Sequence, residues 1–567
     1  MRRLFAGLGA AIALAACTIY APAAVAADAP YDVLVFSKTA GFRHDSIPAG
    51  IQAIRELGAA NSFTVTATED VGAFTTANLA QYEAVVFLST TGDVLNAGQE
   101  TAFESYVRGG GGYVGVHAAA DTEYAWPFYG QLVGAHFASH PAIQQVNSPT
   151  QNRAHPATAH LPQVWTRTDE LYNYQTNPRS SARVLATLDE SSYSGGSMGA
   201  DHPITWCKPI DAGRSFYTGF GHTQSSYAEP AFRSQLLGGI RYAAKRAHAD
   251  CRPETGYTTL YNGSTSGWSQ SGPGSFSNAD ATLTSVGGMG LFWYNAKQYT
   301  SYSLKADWRL TGDSNSGVFV GFPNPGSDPW VAVNQGYEIQ IDATDTPDRT
   351  TGSIYGFKSA DLAARDAALN PPGEWNTFEL LVESQRIRVY LNGSLVNDFT
   401  NTDPNRNLDG YVGIQNHGSA DQAAFRNIRI KEQGIQPPVT NLALNRPAAA
   451  SSVESAAFPA SAAVDASATT RWSSAFSDPQ WIQVDLGATR TVNRVRLVWE
   501  TAYGSAYQIQ TSPNGTTWTT VRSVTGGNGG EDDNTGLNAS TRYLRVYGTA
   551  RGTAWGYSLF TFEVHGS

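Results

Sequence analysis

The feature that most constrains this chain is a change of hydrophobic period near residue 251. Before it, short apolar strand patterns alternate with helical ones. After it, helical spacing all but disappears, and short strands follow one another between Gly, Asn and Asp turns. A period of 3.6 buries one stripe of a helix, whereas a period of two buries one face of a sheet. At 567 residues the chain is also too long for one core. It is therefore multidomain, with an α/β domain first and all-β domains after it.

In the first region Asp32–Ser37 reads as a strand, and Ile47–Leu57 as a helix that stops at Gly58. Phe63–Thr68 and Ala84–Leu88 read as further strands. Asn96 and Gln99 have capping-box spacing, predicting a helix that runs to Arg108. Gly109–Gly112 then leads into the strand Tyr113-Val-Gly-Val-His117. Repeated βαβ units give a mostly parallel sheet, with ligands at the carboxyl ends of its strands. His44, His117 and Asp121 fall just after strands, and nine of the 11 histidines lie in this region. With Glu170 and His222 they form a candidate site of imidazoles and carboxylates that could bind a metal or carry acid–base chemistry. His136 and His140 have helical His-x-x-x-His spacing, although the segment between them need not be helical.

The β-rich region contains Gly336-Tyr-Glu-Ile-Gln-Ile-Asp342. Alternation puts Glu338, Gln340 and Asp342 on one face and Tyr337, Ile339 and Ile341 on the other. Tyr411-Val-Gly-Ile-Gln-Asn-His417 repeats the pattern, with Gln415 and His417 on the face opposite Val412 and Ile414. Such strands could line a cleft. An ordinary antiparallel sheet with one wet face alternates in the same way, so the pattern alone leaves both readings open.

Net charge is −10 and there is no basic run, which argues against a nucleic-acid partner. Arg2 and Arg3 precede an apolar run from Leu4 to Ala16, and Ala24-Val-Ala26 offers small residues for cleavage. Residues 1–27 therefore read as an export signal, too short for a stable membrane span. A secreted protein is expected. Leu14-Ala-Ala-Cys17 keeps open the alternative of a lipoprotein anchored through Cys17. In an exported chain the remaining pair, Cys207 and Cys251, is expected to form one disulfide.

Three resemblances follow from longer motifs. Gly110-Gly-Gly-Tyr-Val-Gly-Val-His-Ala-Ala-Ala-Asp121, Asp169-Glu-Leu-Tyr172, Asp201-His-Pro-Ile-Thr-Trp206 and Gly213-Arg-Ser-Phe-Tyr-Thr-Gly-Phe-Gly-His222 resemble the ThuA-like, trehalose-utilisation family. That resemblance implies a flavodoxin-like fold of the class I glutamine-amidotransferase type over 31–251. Where an amidotransferase carries a cysteine on its strand-to-helix turn, this chain has His117, which excludes the usual covalent route. Asn315-Ser-Gly-Val318, Gly336–Asp342, Gly352-Ser-Ile-Tyr355, Pro372-Gly-Glu-Trp-Asn-Thr377 and Gly410-Tyr-Val-Gly-Ile-Gln-Asn-His-Gly418 resemble the 3-keto-disaccharide hydrolase family. A concanavalin/laminarinase-like jelly roll over 255–433 is implied. After a stiff linker at 434–439, Asn441-Leu-Ala-Leu-Asn-Arg-Pro447, Thr470-Arg-Trp472 and Trp481-Ile-Gln-Val-Asp-Leu-Gly487 resemble a discoidin, or coagulation-factor type C, domain. A galactose-binding-like sandwich over 440–567 is implied, with Asp465 and Glu563 matching the family's structural Ca²⁺ site.

These resemblances imply a secreted, modular carbohydrate-active enzyme that cleaves glycosides oxidised to a ketone at carbon 3 by elimination and hydration, with an accessory glycan-binding module. The ketone acidifies the neighbouring hydrogen, so one base, one donor and at most a metal suffice. Glu338, Asp342 and His417 are the catalytic candidates, with Asn315, Gln340, Gln415 and Tyr355 to bind hydroxyls. A divalent metal in the jelly-roll site is a possible cofactor, and no nicotinamide or flavin is expected. The expected partner is an oligo- or polysaccharide and the expected state a monomer. Two alternatives stay open: an ordinary glycoside hydrolase acting on unoxidised polysaccharide, and a non-catalytic multivalent glycan binder. Trp499, Tyr503 and Trp555 are aromatics that could stack on sugars in the last domain.

Overall fold

The computed structural model describes residues 28–433 and 441–566. The expected export signal at 1–27, with Cys17, and the linker at 434–439 lie outside the described residues. Among the described residues, no helix is long and apolar enough to cross a membrane. The described chain forms two compact units, divided at residue 434.

The first unit begins with a seven-stranded sheet: β1 (Tyr31–Phe36), β2 (Phe63–Thr68), β3 (Ala84–Leu88), β4 (Gly112–Val116), β5 (Arg183–Leu188), β6 (His202–Ile210) and β7 (Gly213–Thr218). Their order is β2-β1-β3-β4-β7-β6-β5. The first five in that order are parallel, and β6 and β5 turn antiparallel at one edge. Helices α1 (Ile47–Ala60), α2 (Ala97–Arg108) and α3 (Pro230–Ala243) bury apolar stripes against it. The capping box at Asn96 forms as its spacing predicts. One boundary differs: α1 runs through Gly58 to Ala60. A Cβ at Gly58 would meet the Phe63 carbonyl at 2.5 Å, so this glycine permits a close approach and does not stop the helix. Cys207 of β6 and Cys251, beyond α3, are joined in a disulfide.

A jelly roll completes this unit. Its inner sheet contains β8 (Trp268–Ser271), β9 (Gly290–Tyr294), β10 (Asn315–Phe322), β11 (Tyr337–Asp342) and β12 (Tyr411–Asn416), in the order β8-β9-β12-β10-β11. All its pairings are antiparallel. Ile339 and Ile341 meet Val412 and Ile414 in a core shared with Leu304, Phe378 and Leu380 of the facing eight-stranded sheet. The alternation read from the sequence is therefore realised, and Glu338 and Gln340 lie on the other face.

The α/β domain and the jelly roll share a buried charged junction. Lys305 Nζ donates to Asp250 at 2.9 Å and lies 3.2 Å from Glu254. Glu254 takes a two-pronged contact from Arg429, at 2.6 and 2.9 Å, and a third from Arg183 at 2.7 Å. His248 and Asn370 exchange two hydrogen bonds, at 2.7 and 2.8 Å. Trp375 is buried with Ala154 of the α/β domain, so it seals this junction.

The second unit is a β-sandwich around Trp472, Trp499, Tyr507 and Tyr557. Its longest pairing joins Gln480–Trp499 to Glu531–Arg551. Trp499 is a core residue whose indole donates to Asp532, which removes it from the stacking candidates. Tyr503 packs over Gly529, while Trp555 is exposed beside Phe476.

Candidate functional site

The polar face of the inner jelly-roll sheet opens into a cavity of about 290 Å³. Glu338 and Gln340 of β11, Asn315 of β10, Gln415 of β12, His417 and Tyr355 line it. Gly317 makes room on β10: a Cβ there would meet Glu338 Oε1 at 2.5 Å. Glu338 is only 6% exposed. Burial pushes its carboxyl up to about 8, against a smaller opposing pull from the Gln415 side chain. Asn315 Oδ1, Gln340 Oε1 and Gln415 Oε1 are buried acceptors without partners. Buried acceptors of this kind carry a desolvation cost that a hydroxyl-bearing ligand would offset.

His417 Nδ1 donates to Asp421 Oδ2 at 2.8 Å, which leaves Nε2 as the ring nitrogen free to accept a proton. Asp421 Oδ1 is held by the backbone N–H of Asn315 at 3.0 Å. Asp342 lies on the face that alternation predicts, opposite Asn315, but the turn after β11 engages its carboxylate. Oδ1 accepts from the backbone N–H groups of Thr344 and Asp345, both at 2.9 Å, and Oδ2 from Asn315 Nδ2 at 2.8 Å. Asp342 is thus a turn cap that orients Asn315, and it is not among the cavity-lining residues. Asp421, Arg349, Asp345 and the exposed Trp330 belong to the cavity environment but were not picked out by strand alternation, because they sit on loops and on a short helix.

Among the described residues, three or more His, Cys, Asp or Glu ligand atoms converge in three places, and none is in this cavity. One of the three groups contains the disulfide cysteines and another is Asp93, Glu100 and Glu123.

The third group lies at the carboxyl ends of the parallel strands. It joins His44, His117, Glu170 and His222, four of the five residues expected there. His117 follows β4 directly, at φ +51°, on a left-handed turn that costs a non-glycine residue about 1–3 kcal/mol. Its carbonyl accepts from Tyr217 Oη at 2.9 Å, and its Nδ1–H donates to the Gly219 carbonyl at 2.8 Å. Its Nε2 lies 3.1 Å from His222 Nδ1 and 3.3 Å from Glu170 Oε2. Glu170 Oε2 is 3.0 Å from His222 Nδ1, and Oε1 is 2.9 Å from His140 Nδ1. Burial, with the neighbouring His117 and His222 rings, holds His44 down to about 3. Burial alone would raise Glu170, but the neighbouring His117 and His222 rings hold it well below the usual carboxylate range.

Asp121 is not brought into this cluster; it accepts from Tyr124 Oη at 2.6 Å. His136 and His140 flank the short strand Phe137–Ser139, so they are not a helical pair. In the second unit, Asp465 closes its own loop with Ser467 N and Thr470 Oγ1. Glu563 contacts Arg496 and His565 instead.

Family models match three successive stretches. The trehalose utilisation family matches residues 32–243, the 3-keto-alpha-glucoside-1,2-lyase-like domain 256–431, and the F5/8 type C domain 447–562. No curated protein matches the chain significantly. Among solved structures, chitosan-binding module 1 from a chitosanase/glucanase of Paenibacillus sp. IK-5 is 57% identical, covering 22% of this chain and 99% of its own, with a TM-score of 0.22. A candidate ThuA-like protein of Bacteroides uniformis ATCC 8492 is 23% identical over 39% of this chain and 94% of its own, with a TM-score of 0.34. A candidate glycosyl hydrolase of Parabacteroides distasonis ATCC 8503 is 23% identical over 32% of this chain and all of its own, with a TM-score of 0.28. The three family matches, in this order, mark a carbohydrate-active protein with a discoidin-type module.

Proposed function

We propose that the jelly-roll cavity cleaves glycosides carrying a ketone at carbon 3, by elimination followed by hydration, and that the chain is exported to do so. The observation that carries this reading is Glu338, a buried carboxyl raised to about 8 in the same cavity as the His417–Asp421 pair. Below that pH Glu338 holds a proton and can act as an acid, while His417 Nε2 can act as a base.

The ketone makes the hydrogen on carbon 2 acidic. His417 Nε2 takes that proton, and the C–H electron pair forms an enolate on the ketone oxygen. Arg349, a cavity residue, supplies positive charge for it. The enolate then re-forms the ketone, a double bond forms between carbons 1 and 2, and the bond from carbon 1 to the leaving oxygen breaks. Glu338 gives its proton to that oxygen. Water adds across the double bond, its hydroxyl to carbon 1 and its proton to carbon 2. The unpartnered acceptors of Asn315, Gln340 and Gln415 take sugar hydroxyls, and Trp330 offers an exposed apolar face at the mouth.

The test incubates the full chain with a 3-keto-glucoside and with its unoxidised parent in D₂O. Release of 3-keto-glucose from the oxidised sugar alone, with deuterium at carbon 2, is the expected result. Cleavage of the parent sugar would instead favour ordinary hydrolysis, for which Asp345 is a second carboxylate in the cavity. Binding without cleavage of either sugar would favour a glycan binder.

A further inference from the structure

The proposed cleavage uses nothing from the cluster at the carboxyl ends of the α/β sheet. We propose that His44, His117, His222 and Glu170 form a mononuclear centre for a first-row divalent cation of the zinc type. The argument is one of lone pairs. His117 Nδ1–H is committed to the Gly219 carbonyl, so Nε2 presents a lone pair to the cluster. Glu170 Oε2 presents another at 3.3 Å. His222 Nδ1 stands 3.1 Å from the first and 3.0 Å from the second, and a single proton on it would have to serve both. His44, 5% exposed, adds a buried Nδ1 with no hydrogen-bond partner. A cation at the centre would take one ligand atom from each of the four side chains.

The spacing agrees. Ligand atoms bound tetrahedrally at zinc–nitrogen distance lie about 3.3 Å from one another. Three of the four already do so, and all four lie within 4.8 Å. Three imidazoles with one carboxylate suit zinc, cobalt or iron(II) better than calcium or magnesium, which select oxygen-rich sites. Outer contacts are also in place: Gly219 fixes the His117 tautomer, and His140 engages the second oxygen of Glu170. The His222 side chain is 21% exposed, so an oxygen ligand from solution can approach from that side.

The test uses the full chain, stripped of metal by dialysis against chelator and titrated with Co²⁺. The expected result is saturation at one ion per chain with visible d–d absorption. Glu170→Gln and His222→Gln should each weaken binding by about tenfold or more. Because Glu170 is buried, circular dichroism should accompany both variants, and the more exposed His222 gives the cleaner reading. Glu338→Gln should leave the cobalt spectrum unchanged, which separates this inference from the proposed cleavage. The absence of stoichiometric uptake by folded protein would overturn the inference. Uptake that a folded His222→Gln variant retains at full affinity would also overturn it.

Discussion

The histidine cluster of the α/β domain and the carboxyl cavity of the jelly roll use opposite arrangements of polar groups. In the cluster, side chains from four separate loops aim their lone pairs at one point, with only one proton available to share between three of them. In the cavity, side chains from adjacent strands point outward in parallel, and their acceptors stay apart without partners. Convergence suits a small cation. Spaced acceptors around a buried acid suit a polyhydroxylated ligand several ångströms across.

The sharpest test of this contrast is the acid. Glu338→Gln keeps the shape and removes the proton, so turnover of a 3-keto-glycoside should fall by about 10²–10⁴ while metal uptake is untouched. Equal loss of both would mean that the two sites are not independent. Gly317→Ala comes next. Its Cβ would press on Glu338 Oε1 and Cγ, at 2.5 and 2.9 Å, and the displaced carboxyl should lower kcat about 10²-fold with little change in fold.

The pH profile separates the sites further. Since Glu338 is raised to about 8, activity should fall as pH rises through that value, and Glu338→Gln should abolish the limb. Stability carries the same sign. The neutral form is favoured in the folded chain, so this contribution is present below the ordinary carboxyl range and is lost as pH rises to about 8. Thermal melting of the two proteins between pH 5 and 9 measures it. The smallest effect is at the mouth: Trp330→Ala should raise KM by about tenfold and leave kcat nearly unchanged. A kcat loss there would mean that Trp330 positions the reacting atoms.

What the sequence reveals differs between the two regions for the same reason. Strand period two places Glu338, Gln340 and Gln415 on one face without knowledge of the rest of the fold, because each depends only on its own strand. The same rule puts Asp342 on the correct face, opposite Asn315, but cannot show that the turn after β11 claims its carboxylate. Asp421 escapes it altogether: its partner His417 is near in sequence, but both lie beyond the end of β12. His44, His117, Glu170 and His222 are legible as residue types after strands. Their meeting depends on how a parallel sheet gathers distant loops, and so does the exclusion of Asp121.

The junction at Asp250 and Glu254 has a practical corollary. The border between the first two family matches falls at 243–256, and it looks like a natural place to cut the chain. Yet Glu254 and Asp250 neutralise Lys305 and Arg429, whose side chains are 4% and 5% exposed. Removing one partner from such a buried pair costs about 3–5 kcal/mol. A fragment that starts after residue 254 would leave Lys305 only the Glu379 carboxylate, at 3.8 Å, and Arg429 only Asp307, at 3.1 Å. The inheritable piece of this protein is accordingly the fused pair, and swapping either half for a homologue requires grafting the acidic tether with it.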